Sequence, residues 1–221
     1  MVTQIPAPPS SEAIYRAAKE FNLSFDGEQV LKIQQYIGIL LQWNEKFNLT
    51  AIRDPLEILY RHFCESMFAA TKFSLGQGRL ADVGSGAGFP GIPLKILCPG
   101  IQLFLIESNL KKATFIAEVI RELGLADTQV LVRRYEELGE ELAPLDFVCS
   151  KALGEFTPLL KWASSAHLAA ANVLLWIGGR DLEGIQKLSG WSWQEPISIP
   201  HSLRRMILLG RKGGPSVGVS T

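Results

Sequence analysis

From residue 79 onward, short apolar runs at 79–83, 101–106, 128–133, 145–150 and 173–177 alternate with amphipathic or turn-rich segments. Strands that are apolar throughout, separated by helical stretches, are strands buried on both faces, and that pattern predicts a mostly parallel sheet. Three helices are expected between them: a short one after Gly91, one from Lys111 to Leu123 ended by Gly124, and one from Phe156 to about Ala171. The closing segments "WQEPISIP" and "LRRMILLGRK" read as an antiparallel pair at the end of the sheet. The fold class that follows is α/β, a Rossmann-like doubly wound sheet, whose ligands bind beyond the carboxyl ends of the strands.

The first third reads differently. Val30, Ile33, Ile37, Leu40 and Leu41 recur at helical spacing. A second helix restarts at Asp54 as cap, with Pro55 in the first helical position and Glu57 placed to close a capping box. Leu59, Phe63, Met67 and Ala70 form its expected buried stripe. The organisation is then a disordered leader over 1–10, an N-terminal helical cap over 11–75, the sheet domain over 76–212 and a flexible tail over 213–221.

At 221 residues one main domain is the default. No apolar run reaches the ~18–20 residues of a membrane span, and "MVTQIPAPPS" lacks the charged start and apolar core of a signal peptide. A soluble, cytoplasmic protein is expected. Cys64, Cys98 and Cys149 are widely spaced among apolar neighbours, which suits reduced core thiols. His167 and His201 have no metal-ligand spacing with them, so no metal is expected. Twenty-two basic residues balance twenty-two acidic ones, which excludes a general attraction to polyanions and leaves only local basic patches.

The stretch "RLADVGSGAGFPGIPL" opens the sheet domain. Glycines at 84, 86, 88 and 91 allow a sharp turn and close approach of a ligand to the backbone. Gly86, Gly88 and Gly91 satisfy the dinucleotide pattern G-x-G-x-x-G, so a nicotinamide cofactor is one reading. Against it, Asp82 would repel a pyrophosphate, and Pro90 and Pro93 interrupt the helix start that should receive one. Glu107, ending the next strand, can accept both hydroxyls of a ribose. S-adenosylmethionine has that ribose but no phosphate, and Asp82 can favour its positive charge.

"NEKFNLTAIRDPLEILYRHFCES", "LADVGSGAGFPGIPLKI" and "LIESNLKKATFI" together closely resemble the ribosomal RNA small subunit methyltransferase G family, also called glucose-inhibited division protein B. The resemblance covers residues 35 to 212, with "NLT", the pair Arg61–His62 and "GFPGIP" as its most specific parts. It implies a class I S-adenosylmethionine-dependent methyltransferase that methylates N7 of one guanosine in 16S rRNA within the small ribosomal subunit; a monomer is expected.

By the same resemblance, Asp82, Gly84, Gly86, Gly88, Phe89, Glu107, Ser108, Tyr135, Glu136 and Lys151 are expected to contact the cofactor. Lys151 stands where the family usually has arginine and is a contact to substrate or cofactor; no residue is assigned as a chemical catalyst. Gly178 occupies a place where lysine is common in the family, with Arg180 nearby to supply the charge. Guanine N7 carries a lone pair and no proton, so its methylation needs positioning and no general base. "FVCSKALGEF" after the fourth strand lacks the Asn/Asp-Pro-Pro-aromatic motif of amine-directed enzymes, and Cys149 within an apolar strand is a poor nucleophile for cytosine C5. Candidate RNA contacts are Arg53, Arg61, His62, Lys111, Lys112, Arg204 and Arg205, with Lys95 and Arg133 as further basic positions. Trp162, Trp176, Trp191 and Trp193 are expected to pack. The balanced charge suits a ribonucleoprotein substrate better than free RNA. Rival readings are a methyltransferase for a small molecule or protein, an oxidoreductase, and a non-catalytic adaptor that binds S-adenosylmethionine.

Overall fold

A computed structural model describes residues 5–151, 154–165, 167–168 and 170–213. Five strands in parallel and three antiparallel ones form a single sheet: β1 (Arg79–Val83), β2 (Gln102–Ile106), β3 (Thr128–Leu131), β4 (Phe147–Lys151), β5 (Asn172–Gly178), β6 (Trp191–Trp193), β7 (Ile197–Ser198) and β8 (Arg205–Lys212). The order is β3-β2-β1-β4-β5-β8-β6, with β7 also on β8. The chain steps one way from β1 to β2 and the other way to β4, so the crevice beyond β1 and β4 is the switch point at which such sheets bind ligands.

The expected C-terminal pair is present, and it carries one more strand than expected. β8 runs antiparallel to β5 along its whole length, while β6 and β7 share its other edge. Pro196 lies between those two short strands, where it has no N–H to give to the ladder. The helix expected to reach Ala171 ends at Ala163: Ser164 turns its hydroxyl onto the Lys161 carbonyl, a local bond that competes with helix propagation.

The N-terminal region is helical. α1 (Ser11–Glu20) is capped by Ser10, and α2 (Gly27–Phe47) closes a capping box between Asp26 and Gln29. The leader is less free than expected at its end, because Pro9 is buried and its carbonyl accepts from Gln34 Nε2. α3 is a composite run: an α-turn Pro55–Ile58, a π-helical stretch Leu59–Cys64, a second α-turn Glu65–Met67 and a 3-10 turn Phe68–Thr71. Asp54 caps it as expected, whereas the Glu57 side chain pairs with Arg61 and does not close a box. α4 (Gly91–Leu97), α5 (Leu110–Glu122), α6 (Phe156–Ala163) and α7 (Leu182–Gln186) complete the fold.

Alternate strand residues feed two cores. Leu80, Leu103, Leu105, Cys149, Leu174 and Trp176 face one way, into a core continuous with Ile14, Tyr36, Leu40 and Phe63 of the N-terminal helices. Phe104, Val148, Val173 and Leu175 face the other way, onto Leu159 and Leu160 of α6. The helical cap thus covers one face of the sheet and shares its core.

Candidate active site

β1 ends at Val83, and the chain turns back through Gly84, Gly86 and Gly88, all left-handed with φ of 69°, 59° and 84°. A Cβ on Gly88 would sit 2.6 Å from both Tyr36 Oη and Ile92 Cδ1, so the position requires glycine for space as well as for torsion. Glu107, just past β2, ties the two loops together: its Oε2 accepts from Gly86 N–H at 2.9 Å and its Oε1 from Asn109 N–H at 2.8 Å. Each oxygen keeps a second lone pair for a ligand hydroxyl.

Asp82 is fully buried, and its role differs from the direct contact expected of it. Oδ2 accepts from Gly91 N–H at 2.9 Å and fixes the start of α4, while Oδ1 has no partner among the described residues. Burial pushes its carboxyl up to about 7. It supports the loop from beneath, with no surface to offer a ligand.

The cap clamps the same loop from above. The Phe89 ring is stacked between Tyr36, at 5.4 Å and 12°, and His62, at 4.5 Å and 14°. Tyr36 also donates to the Ala87 carbonyl. His62 is held in turn by "NLT": Asn48 ends α2 in a left-handed turn, Asn44 brackets Thr50 through its N–H and carbonyl, and Thr50 Oγ1 lies 2.9 Å from His62 Nε2. Burial, then the Lys151 and Arg61 charges, push His62 down to about 3, so its imidazole is neutral. It braces Phe89 and Thr50 while one side of the ring still lines the second and third hollows.

Three hollows lie along the carboxyl ends of the strands. The first, of about 160 Å³, is lined by Gly84, Ile106, Glu107, Ser108, Tyr135 and Glu136, with Arg133 and Arg134 at its side. The second, of about 170 Å³, lies over the loop and includes Gly84, Gly86, Phe89, Thr50, His62 and Lys151. The third, of about 360 Å³, lies between α3 and the ends of β4 and β5. Gly84 belongs to the first and second; His62 and Lys151 belong to the second and third. The first two hollows together run from Tyr135 past Glu107 to the glycine backbone.

The junction between the second and third hollows is held by side chains. Glu65, 3% exposed, receives the Arg205 guanidinium as a fork, with contacts of 2.6 Å and 3.1 Å to its carboxylate. Its carbonyl accepts from Trp176 Nε1 at 2.8 Å. Lys151 Nζ donates to the Arg61 carbonyl at 2.6 Å, and lies 3.5 Å from Ser66 Oγ and 3.8 Å from Glu65 Oε2. Burial pushes Lys151 down to about 8, partly offset by Glu65.

A family model described as rRNA small subunit methyltransferase G matches residues 29–190. The chain belongs to that family. A relative of that name from Xylella fastidiosa (strain M23) is 48% identical over 120 residues, 54% of this chain and 56% of the relative. Another from Stenotrophomonas maltophilia (strain K279a) is 36% identical over 182 residues, covering 81% of this chain and 84% of the relative. The match thus spans little more than half the length of the first relative and most of the second. A crystal structure of a SAM-dependent methyltransferase from Aquifex aeolicus matches with a TM-score of 0.58 at 14% identity, over 75% of this chain and 97% of that one. The fold is that of the class I methyltransferases, as expected.

Within this family member, the expected cofactor residues other than Asp82 line the first two hollows or, in Gly88, shape the loop beneath them. Of the expected RNA residues, Arg61, His62 and Arg205 come together at the third hollow, and the others lie elsewhere. Arg61 lines the third hollow and pairs with Glu57. Arg205 lines it too, with its Nε and one terminal nitrogen held by Glu65. Arg53 pairs with Glu45, Arg204 is exposed, and Lys111 and Lys112 lie at the start of α5. Lys95 is buried, with its ammonium on the carbonyls of Pro99 and Ile101, which removes it from the basic candidates. Arg180, two residues beyond Gly178, is exposed, and Gly178 itself lines the third hollow.

Sequence reasoning missed Tyr36, Asn44 and Glu65, and took Trp176 for packing alone. The signal for Asn44 was present: it falls four residues after Leu40 on the apolar face of α2, where an amide requires a partner. Glu65, a carboxylate between the buried Phe63 and Met67, gave a similar sign.

Proposed function

We propose that this chain transfers a methyl group from S-adenosylmethionine to N7 of one guanosine of 16S rRNA, acting as a monomer in the cytoplasm on the small ribosomal subunit. The observation that carries this reading is the row of three hollows joined at Gly84 and at His62–Lys151, the first two suited to the cofactor and the third open for an acceptor.

When bound, S-adenosylmethionine supplies an activated methyl group whose carbon–sulfur bond breaks with its electron pair passing to sulfur. Glu107 would hold the ribose end, and the Gly84–Gly88 backbone would receive the polar end. Cap residues Tyr36 and His62 hold Phe89, and with it the loop, in one place. The N7 lone pair forms the new bond, the ring takes the positive charge, and no proton leaves. The junction agrees with a reaction that needs no base: Glu65 is occupied by Arg205, Asp82 is sealed beneath the loop, and His62 bonds to Thr50. Catalysis then rests on alignment.

The test is incubation with methyl-labelled S-adenosylmethionine and small subunits from a strain lacking the modification, followed by nuclease digestion and mass spectrometry. Label in N7-methylguanosine is the expected result. Label in another nucleoside, in protein, or nowhere overturns the reading.

A further inference from the structure

The third hollow is separate from the two assigned to the cofactor, sharing only His62 and Lys151 with the second. Its volume of about 360 Å³ lies at the lower end of the roughly 300–1,000 Å³ found for small-molecule sites. Its walls are mainly apolar: Ile52 from the cap, Phe156 at the start of α6, Trp176 and Ile177 from β5, and Ile199. That is a lining for a flat ring. Enzymes that act on a base atom either take it from an unpaired strand or draw it out of its stack into a pocket, and unstacked RNA bases are held by aromatic and apolar side chains.

Polar side chains line it as well, Arg61, His62, Glu65, Lys151, Asp181 and Arg205, and of these His62 and Lys151 also line the second hollow. Glu65 and Arg205 satisfy each other there. Of the three N–H groups of Lys151, the Arg61 carbonyl takes one at 2.6 Å; Ser66 Oγ lies at 3.5 Å and Glu65 Oε2 at 3.8 Å, beyond hydrogen-bond length, and the side chain stays 14% exposed. Guanine carries two acceptors, N7 and O6, side by side on one edge; adenine carries N7 beside an amino donor. A base entering the third hollow with N7 toward the second would bring its neighbouring substituent to Lys151.

We propose that the third hollow receives the extruded guanine, and that Lys151 Nζ donates to O6 and so selects guanine over adenine at the moment of transfer. This rests on the reading of the chain as a guanine-N7 methyltransferase. It adds the site of the base and the group that reads it.

The experiment uses full-length protein and hypomethylated small subunits, with S-adenosylhomocysteine affinity by calorimetry beside N7-methylguanosine formation. Ile52→Trp narrows the third hollow and touches neither of the other two. It should lower transfer about 100-fold, as a small misplacement of the reacting atoms would, with cofactor-product affinity unchanged. Lys151→Met should lower transfer roughly 10-fold or more by the loss of one base contact, and Lys151→Arg should restore most of it. Wild-type transfer in both variants overturns the inference and leaves the function standing. If wild-type protein makes no N7-methylguanosine, the function fails first and the inference with it. Should Ile52→Trp also lose S-adenosylhomocysteine, the Lys151 pair decides: equal loss in Met and Arg variants overturns the role in reading O6.

Discussion

At the Glu107 end of the site the contacts are backbone groups of two adjacent loops, whereas at the Glu65 end they are side chains brought from four separate segments. Glu107 reaches Gly86 across 21 positions of sequence and Asn109 across two. Glu65 reaches Trp176 across 111 and Arg205 across 140, while Lys151 reaches Arg61 across 90. One end is a product of local chain geometry that glycines and one carboxylate specify. The other exists only once cap and sheet have packed.

The largest effect should come from breaking the non-local end. Glu65→Ala leaves Arg205 and Lys151 without their carboxylate in a buried setting, a change that costs about 3 kcal/mol or more. Denaturant unfolding should show that loss, and a melting curve that does not move would mean the end is less dependent on the pair than its geometry indicates. The local end breaks differently. Gly88→Ala forces a side chain into a left-handed torsion and against Tyr36 Oη and Ile92, at about 2–3 kcal/mol.

A functional contrast sharpens the comparison. Glu107→Ala should weaken S-adenosylhomocysteine binding by roughly 10-fold, the equivalent of one charge-assisted hydrogen bond, with the fold retained. Equal affinity for wild type and variant, measured by calorimetry, would remove Glu107 from the cofactor site.

A smaller effect separates support from contact at Asp82. Its folded carboxyl is raised to about 7 from 3.8, so between about pH 4 and 7 the folded state holds a proton that the unfolded state has lost. Its contribution to stability is therefore full below pH 4 and is lost as pH rises toward 7. Asn stays neutral at every pH, so the melting-temperature deficit of Asp82→Asn should be larger at pH 5 than at pH 8. A deficit that grows with pH would place a charged Asp82 in the native loop. The smallest effect is expected at the surface: Lys112→Ala should lower affinity for small subunits slightly, and the difference should shrink with added salt.

Much of this was legible in the chain. Apolar runs placed β1 at 79–83, and the strand that followed ended beside Glu107, because a buried parallel strand must be apolar along its length and its loop carries the ligand groups. Pattern also marked α2 and the capped start of α3. It failed at α6, where Ser164 ended a helix that apolar spacing would have continued, and at β6, whose three residues are too short for periodicity to register.

The sequence by itself determined the fold class, the family and the cofactor end, since glycine torsions and a strand-end carboxylate act over a few residues. Only the tertiary structure decided what Asp82, His62, Lys95 and Arg205 do. A charge or an imidazole looks the same in sequence whether it faces water or a sealed interior, and its role depends on burial and on partners that packing alone supplies.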